Sequence, residues 1–223
     1  MNSEIKISPS IAAGNLMRLE DEVRKIEASG ADSIHFDVMD GHFVPLLTIG
    51  IPFIEQMRKI TTMKLDVHIM VTNPDLVFQD YLQAGADVLT FHQEAALHSH
   101  RICMKIKEAG KKAGIAINPG THWQTIEYLL PMLDQVTIMA VNPGFSRQQH
   151  IPSVHDKIAT LTKLKKDKQL TFDIMVDGGV NTENIYTLKQ LGTDIIVAGG
   201  AIFNFENYTE AVQKIKKASV TKS

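Results

Sequence analysis

One short motif recurs along the chain and narrows its fold more than any other feature. Gly30-Ala-Asp, Gly85-Ala-Asp and Gly192-Thr-Asp each follow a segment with helical apolar spacing, and each precedes an apolar run. The runs are Ser33-Ile-His-Phe-Asp, Val88-Leu-Thr-Phe and Ile195-Ile-Val-Ala, and Gly110-Lys-Lys before Ala113-Gly-Ile-Ala-Ile is a looser fourth copy. A glycine closing a helix, a short polar loop and a buried strand is the repeating unit of parallel α/β proteins. The pattern predicts strands at 5–10, 33–37, 64–70, 88–91, 113–117, 136–139, 172–177 and 195–198. Apolar residues three and four apart predict intervening helices, such as 16–28 (Leu16, Leu19, Val23, Ile26) and 151–164 (Val154, Ile158, Leu161, Leu164). Eight strands, each followed by a helix, within 223 residues predict a single (β/α)₈ TIM barrel spanning 1–223. An open doubly wound sheet is the alternative, but the first strand–helix turn lacks a G-x-G-x-x-G.

Charge and cysteine content limit the partners. The formal net charge is −2, and Lys163-Leu-Lys-Lys-Asp-Lys is the one basic run, at the expected solvated end of a helix. Nucleic acid and anionic membrane are therefore not expected as partners, although backbone amides alone can hold a small phosphate. The single cysteine, Cys103, excludes a disulfide within the chain and fits a reducing compartment. It lies in the helix-like Arg101-Ile-Cys-Met-Lys-Ile, where a buried structural thiol is expected rather than a nucleophile. No apolar run approaches the ~20 residues that span a bilayer, and the first residues lack a signal-peptide apolar core. A cytoplasmic protein is expected.

Strand alternation places the chemistry. In a barrel, polar residues near the C-terminal strand ends face the site, and residues two apart share a face. His35, Asp37 and Met39 share one face of the second strand, with Ile34, Phe36 and Val38 on the helix-facing side. The third strand puts His68 and Met70 inward and Leu65, Val67 and Ile69 outward; the seventh ends on an inward Asp177. One His-x-Asp alone reads as hydrogen-bonded core, but four such groups converging at strand ends read as a metal site. Two imidazoles and two carboxylates suit one divalent ion, Zn²⁺, Fe²⁺, Mn²⁺ or Co²⁺, and the ligand types do not choose among these. The second and seventh strands stand three steps apart around the ring, so Asp37 and Asp177 can address opposite faces of one bound carbon. A two-base inversion needs that placement, with the ion acidifying the carbon by stabilising an enediolate.

Glycine pairs supply the rest. The seventh strand ends in Asp177-Gly-Gly and the eighth in Ala198-Gly-Gly, the two loops that usually cradle phosphate in this barrel. Asn142-Pro-Gly-Phe, after the sixth strand, reads as a loop able to fold over a substrate, whereas Asn118-Pro-Gly-Thr reads as a plain turn.

Five segments then carry a resemblance: Ser8-Pro-Ser-Ile, His35-Phe-Asp-Val-Met-Asp-Gly-His-Phe-Val-Pro, Leu65-Asp-Val-His-Ile-Met, Val141-Asn-Pro-Gly-Phe and Met175-Val-Asp-Gly-Gly-Val. In this order, from about Ile7 to about Phe203, the chain resembles the ribulose-phosphate 3-epimerase family. The resemblance implies a ribulose-phosphate-binding TIM barrel, a homo-oligomer, and interconversion of D-ribulose 5-phosphate with D-xylulose 5-phosphate. It implies His35, Asp37, His68 and Asp177 as metal ligands, with Asp37 and Asp177 as the acid/base pair. Ser10, His68, Met39, Met70 and Met139 correspond to residues around the substrate, and Gly144, Gly178, Gly179 and Gly199 to its backbone contacts. Phe145, Ser146, Arg147 and Gly200 complete the candidate substrate contacts. The chain departs from the family at Ser146-Arg147, where two glycines are usual, and at Gly200, where a serine is common. Leu46 replaces an asparagine, and Ala12-Ala-Gly-Asn replaces Leu-Ser-Ala-Asp. A related substrate such as D-allulose 6-phosphate, or a non-catalytic sugar-phosphate-binding barrel, stays an alternative. Among the other histidines, His92 is expected to be structural, His98 and His100 a solvated pair, and His42, His122, His150 and His155 form no convergent pattern.

Overall fold

The computed structural model describes residues 4–145 and 148–221. Eight strands are present: β1 (Lys6–Pro9), β2 (Ile34–Met39), β3 (Leu65–Met70), β4 (Val88–His92), β5 (Lys112–Ile117), β6 (Gln135–Met139), β7 (Asp173–Asp177) and β8 (Ile195–Ala198). All pairs are parallel, in the order β1-β8-β7-β6-β5-β4-β3-β2. A parallel bridge from Ser10, just past β1, to His35 of β2 brings the ring nearly to closure. Around it lie α1 (Leu19–Ser29), α2 (Ile51–Ile60), α3 (Pro74–Gln83), α4 (Ser99–Glu108), α5 (His155–Asp167), α6 (Ile185–Leu191), α7 (Gly200–Phe203) and α8 (Tyr208–Ala218). This is the expected (β/α)₈ TIM barrel.

The connections depart from the expected helices in three places. Trp123–Met132, after β5, is a 3₁₀ segment with Pro131 inside it, where proline supplies no N–H and disfavours α-helix. Leu16–Arg18 is a separate 3₁₀ turn capped by Asn15, so α1 begins only at Leu19 and Leu16 stays half-exposed. Likewise Pro152–Val154 forms a 3₁₀ turn before α5.

The strand faces follow the alternation. Ile34, Phe36, Val38, Leu65, Val67, Ile69, Ile174 and Val176 are buried in one core between sheet and helices. Met175, Ile195 and Val197 form a second, smaller apolar cluster. No helix among the described residues is long and apolar enough to cross a membrane.

The recurrent aspartates explain why the motif repeats. Asp32 accepts the N–H of Ile7 at 2.9 Å while donating its own N–H to Ile7 O. Asp87 does the same with Leu65, Asp134 with Ala113 and Asp194 with Ile174. Each aspartate thus precedes an even-numbered strand and clamps the start of the odd-numbered strand before it, satisfying a backbone donor at the barrel bottom. Lysines back three of the four: Lys111 on Asp87, Lys107 on Asp134 and Lys165 on Asp194. Gly30, Gly85 and Gly192 take the left-handed conformation that leads the chain from helix to clamp. Gly110 shares that conformation, but the fourth clamp belongs to Asp134, which no glycine precedes in the motif position.

Candidate active site

β2 and β3 run in register with Asp37 opposite His68, and Asp177 ends β7 across the barrel mouth. One ligand atom from each of His35, Asp37, His68 and Asp177 lies within 4.8 Å of all the others. His35 Nε2 is 3.3 Å from Asp37 Oδ1 and 3.8 Å from Asp177 Oδ2. His68 Nδ1 is 3.5 Å from Asp37 Oδ1 and 3.8 Å from Asp177 Oδ2. Both imidazoles are fully buried, and the side chains of Asp37 and Asp177 are 13% and 14% exposed. His35 Nε2 and His68 Nδ1, the two nitrogens facing the carboxylates, are buried without a hydrogen-bond partner. Buried polar atoms rarely stay unpaired, and two lone pairs aimed with two carboxylates at one point suit a divalent cation. These residues fit the expected metal.

The electrostatics agree. Burial alone lowers the His35 pKa, yet Asp37 and Asp66 outweigh it and the value is raised well above the ordinary imidazole range. Burial also works against a charged Asp37, but His35 and His68 prevail and hold its pKa below the usual carboxylate range. Asp177 is pushed up to about 7, first by burial and then by the Asp37 charge. Two carboxylates packed this closely against two imidazoles favour positive charge at the centre of the cluster, which a divalent ion would supply.

Neighbouring groups orient the cluster. Ser10 donates to Asp37 Oδ2 at 2.6 Å, leaving Oδ1 toward the imidazoles. His35 Nδ1 lies 2.9 Å from Asp66 Oδ2, and Gln135 of β6 donates to Asp66 Oδ1 at 3.3 Å. His68 Nε2 lies 2.9 Å from His92 Nε2, and His92 Nδ1 lies 3.2 Å from Glu94 Oε2. His92 was expected to be structural; it is fully buried and reaches the site only through His68. Asp66 and Glu94 were not singled out from the sequence. Alternation puts Asp66 on the His68 face, a signal that was there to be used, whereas Glu94 lies beyond β4 where no periodicity applies.

The candidate substrate contacts divide. Met39 pairs in register with Met70 two residues beyond Asp37 and His68, and Met139 pairs with Asp177. Met70 and Met139 are buried outside the helix-facing core. Gly178 and Gly179 have positive φ, and a Cβ there would strike Val141 and the backbone of His150 at 2.6 and 2.5 Å. Their lack of side chains is already required by the neighbouring loop. At Gly199 a Cβ would meet only Ala13, at an ordinary contact distance of 3.5 Å, whereas at Gly200 it would press on the Asn204 amide at 3.0 Å. Gly144, at φ +108°, packs the root of the β6 loop against Val44 and Pro45. Phe145 is half-exposed beyond it, and Ser146 and Arg147 lie outside the described residues.

Comparison with known proteins places this geometry in a family. A profile described as the ribulose-phosphate 3 epimerase family matches residues 6–203. The chain is 44% identical over 216 residues to the chloroplastic ribulose-5-phosphate-3-epimerase of Arabidopsis thaliana, covering 96% of this chain and 77% of that one. It is 42% identical over 213 residues to the ribulose-phosphate 3-epimerase of Bacillus subtilis, covering 95% and 98%. The Synechocystis sp. ribulose-phosphate 3-epimerase is 41% identical over 220 residues, covering 98% and 96%. Among solved structures, 3-hexulose-6-phosphate synthase from Salmonella typhimurium superposes with a TM-score of 0.72 over 97% of this chain and 99% of that one; at 17% identity it shares the fold alone. The chain therefore belongs to the ribulose-phosphate 3-epimerase family, isomerases that act on carbohydrates.

Proposed function

We propose that the chain is a divalent-metal-dependent 3-epimerase that interconverts D-ribulose 5-phosphate and D-xylulose 5-phosphate by proton transfer between two carboxylates and C3. The observation that carries this reading is the convergence of His35, Asp37, His68 and Asp177, with two unpartnered imidazole nitrogens facing two carboxylates. Three relatives that bear the name ribulose-phosphate 3-epimerase support the substrate.

The four residues would hold Zn²⁺, Fe²⁺, Mn²⁺ or Co²⁺, and the bound ion supplies Lewis-acid polarisation of the carbonyl beside C3. Asp37 and Asp177 approach that carbon from strands three steps apart around the barrel, so one takes the proton and the other returns one to the opposite face. In the metal-free cluster burial and the Asp37 charge raise Asp177 while the imidazoles lower Asp37, so the two carboxylates sit in unlike environments. Ser10 fixes Asp37 by donating to Oδ2, the oxygen turned away from the imidazoles. Met39, Met70 and Met139 floor the pocket without offering a proton, protecting the enediolate from stray protonation. Gly178, Gly179, Gly199 and Gly200 receive the phosphate through backbone amides, and Gly144 adds a further backbone contact.

A reducing cytoplasm is supported by the single cysteine, Cys103, a buried free thiol. Self-association is supported by exposed Leu46, Leu47, Leu76 and Leu97, all on segments that follow strand ends at one rim. Light scattering on the purified protein checks it, and a monomer at all concentrations would reject it.

The function is tested by NMR in D₂O, with protein loaded with Zn²⁺, Mn²⁺ or Fe²⁺ and given ribulose 5-phosphate or allulose 6-phosphate. Deuterium entering C3 of ribulose 5-phosphate, with its epimer appearing, is the expected result. Faster exchange in allulose 6-phosphate would move the substrate assignment, and a folded, metal-loaded protein inert toward both would sink the epimerase reading.

A further inference from the structure

His92 closes β4 with its ring fully buried between two partners. Its Nε2 lies 2.9 Å from His68 Nε2, and its Nδ1 lies 3.2 Å from Glu94 Oε2. A contact between two imidazole nitrogens needs one N–H and one lone pair, and the pair alone does not decide which ring donates. Glu94 decides it. Its Oε1 already accepts the N–H of Asn118 at 2.7 Å and the hydroxyl of Thr121, leaving Oε2 for His92. A carboxylate only accepts, so His92 Nδ1 carries the hydrogen and His92 Nε2 keeps its lone pair. His68 Nε2 must then donate, which leaves the lone pair of a neutral His68 on Nδ1. That nitrogen is the one buried without a partner between Asp37 and Asp177.

We propose that Glu94 and His92 are positioning residues that set the tautomer of His68, so that its Nδ1 lone pair is presented to the metal. The proposal rests on the metal-binding reading of the site given above. Asp66 holds His35 by one direct contact and frees the opposite ring nitrogen, Nε2. The two ligand histidines thus present different nitrogens because their supports lie on different sides, and a relay two groups long is needed only for His68. The arrangement also gives the Asn118-Pro-Gly-Thr turn a purpose. It holds Glu94 in place, and Lys157 of α5 anchors it by donating to Asn118 O at 2.7 Å and Pro119 O at 2.8 Å.

The test is Zn²⁺ affinity, measured by competition with a chromophoric chelator, in the full chain and three variants. Glu94→Gln keeps the shape but inverts the relay, since Asn118 and Thr121 hold the amide oxygen and turn its NH₂ toward His92. His92→Leu removes the acceptor, and His92→Gln restores one where Nε2 stood. Affinity is expected to fall about 10–100-fold in Glu94→Gln and His92→Leu, and to stay within about threefold of the parent in His92→Gln. Circular dichroism and thermal midpoints of the metal-free proteins show that each variant is folded; should His92→Leu fail to fold, the isosteric Glu94→Gln carries the comparison. In the Zn²⁺-loaded parent, ¹⁵N shifts should identify His92 as the Nδ1–H tautomer. Parent-like affinity in Glu94→Gln, equal losses in His92→Gln and His92→Leu, or an Nε2–H signal from His92 would each overturn the relay while leaving the metal site standing. A parent chain that takes up no Zn²⁺, Mn²⁺ or Co²⁺ would overturn the metal reading, and the relay with it.

Discussion

Asp177 occupies the last position of β7, where a side chain can be held by the barrel wall yet still reach its mouth. Asp177→Asn keeps the volume and removes the proton-handling oxygen, so the fold should persist while turnover drops by about 10²–10⁴-fold. Steady-state rates, circular dichroism and bound-metal content on the same sample check this. Near-normal turnover would remove Asp177 from the proposed acid/base role. Ser10→Ala is a milder change: Asp37 loses its 2.6 Å donor, and kcat should fall by about tenfold, the scale of one hydrogen bond to a charged group. An unchanged kcat would show that Asp37 needs no such anchor. The four clustered residues were readable in sequence because each lies on a strand whose alternation is unambiguous. Their supports were harder to read. Asp66 meets His35 from 31 residues away, and the link from His68 to Glu94 passes through a ring nitrogen. Pair geometry of that kind leaves no periodic trace, and neither does the partition of Gly178 and Gly179 from Gly199 and Gly200.

At the scale of elements, the reciprocal aspartate clamps explain both the legible repeat and its gaps. The glycine in each copy is visible because a left-handed residue at a helix end has few substitutes. The aspartate two residues later is the functional half of the motif, and Asp134 shows that it can stand without the glycine. Connections without such chemistry are less legible: the segment after β5 has helical spacing but forms 3₁₀ turns, with Pro131 near its end supplying no N–H. Asp87 is the most heavily used clamp, taking Leu65 N–H and Arg58 on Oδ2 and Lys111 on Oδ1. Asp87→Ala should lower unfolding free energy by about 1–3 kcal/mol, since it leaves a strand-end donor and two cations without their acceptor. The pH dependence has a definite sign. Burial opposes the Asp87 charge, but Leu65, Lys111 and Arg58 outweigh it and lower its pKa in the folded chain. Its stabilisation is thus complete above the ordinary carboxylate range and is lost as pH falls through the folded value. Urea unfolding at pH 7 and at a pH below the ordinary carboxylate range should show the gap between parent and variant narrowing at the lower pH. A gap independent of pH would assign the loss to packing.

For the molecule as a whole, the seam between β1 and β2 is where the ring is least tied. β2 pairs with β3 along six residues, whereas β1 meets β2 at the Ser10–His35 bridge, the Asp32 clamp and the hydrogen bond Ser33 donates to Ser8. The candidate ligands straddle this seam: His35, Asp37 and His68 come from β2 and β3 on one side, and Asp177 from β7 on the other. Ser10 crosses it again through its bond to Asp37. An ion held by all four would fasten the two flanks together at the mouth while the Asp32 clamp fastens them at the bottom. Binding to the folded chain alone stabilises it by about 2.7 kcal/mol at a free ion concentration of 100 Kd. For a chain of this length each kcal/mol moves the midpoint by about 2–4 °C, so chelation should lower Tm by roughly 5–10 °C. Hydrogen exchange should rise most at Ser10, His35 and their neighbours, because opening the seam costs least once the ion is gone. Calorimetry with and without chelator, paired with exchange read by mass spectrometry, separates the possibilities. A lowered Tm with protection lost evenly would mean that the ion stabilises without bracing the seam. An unchanged Tm in a protein known to have carried metal would mean that the four side chains do not grip it.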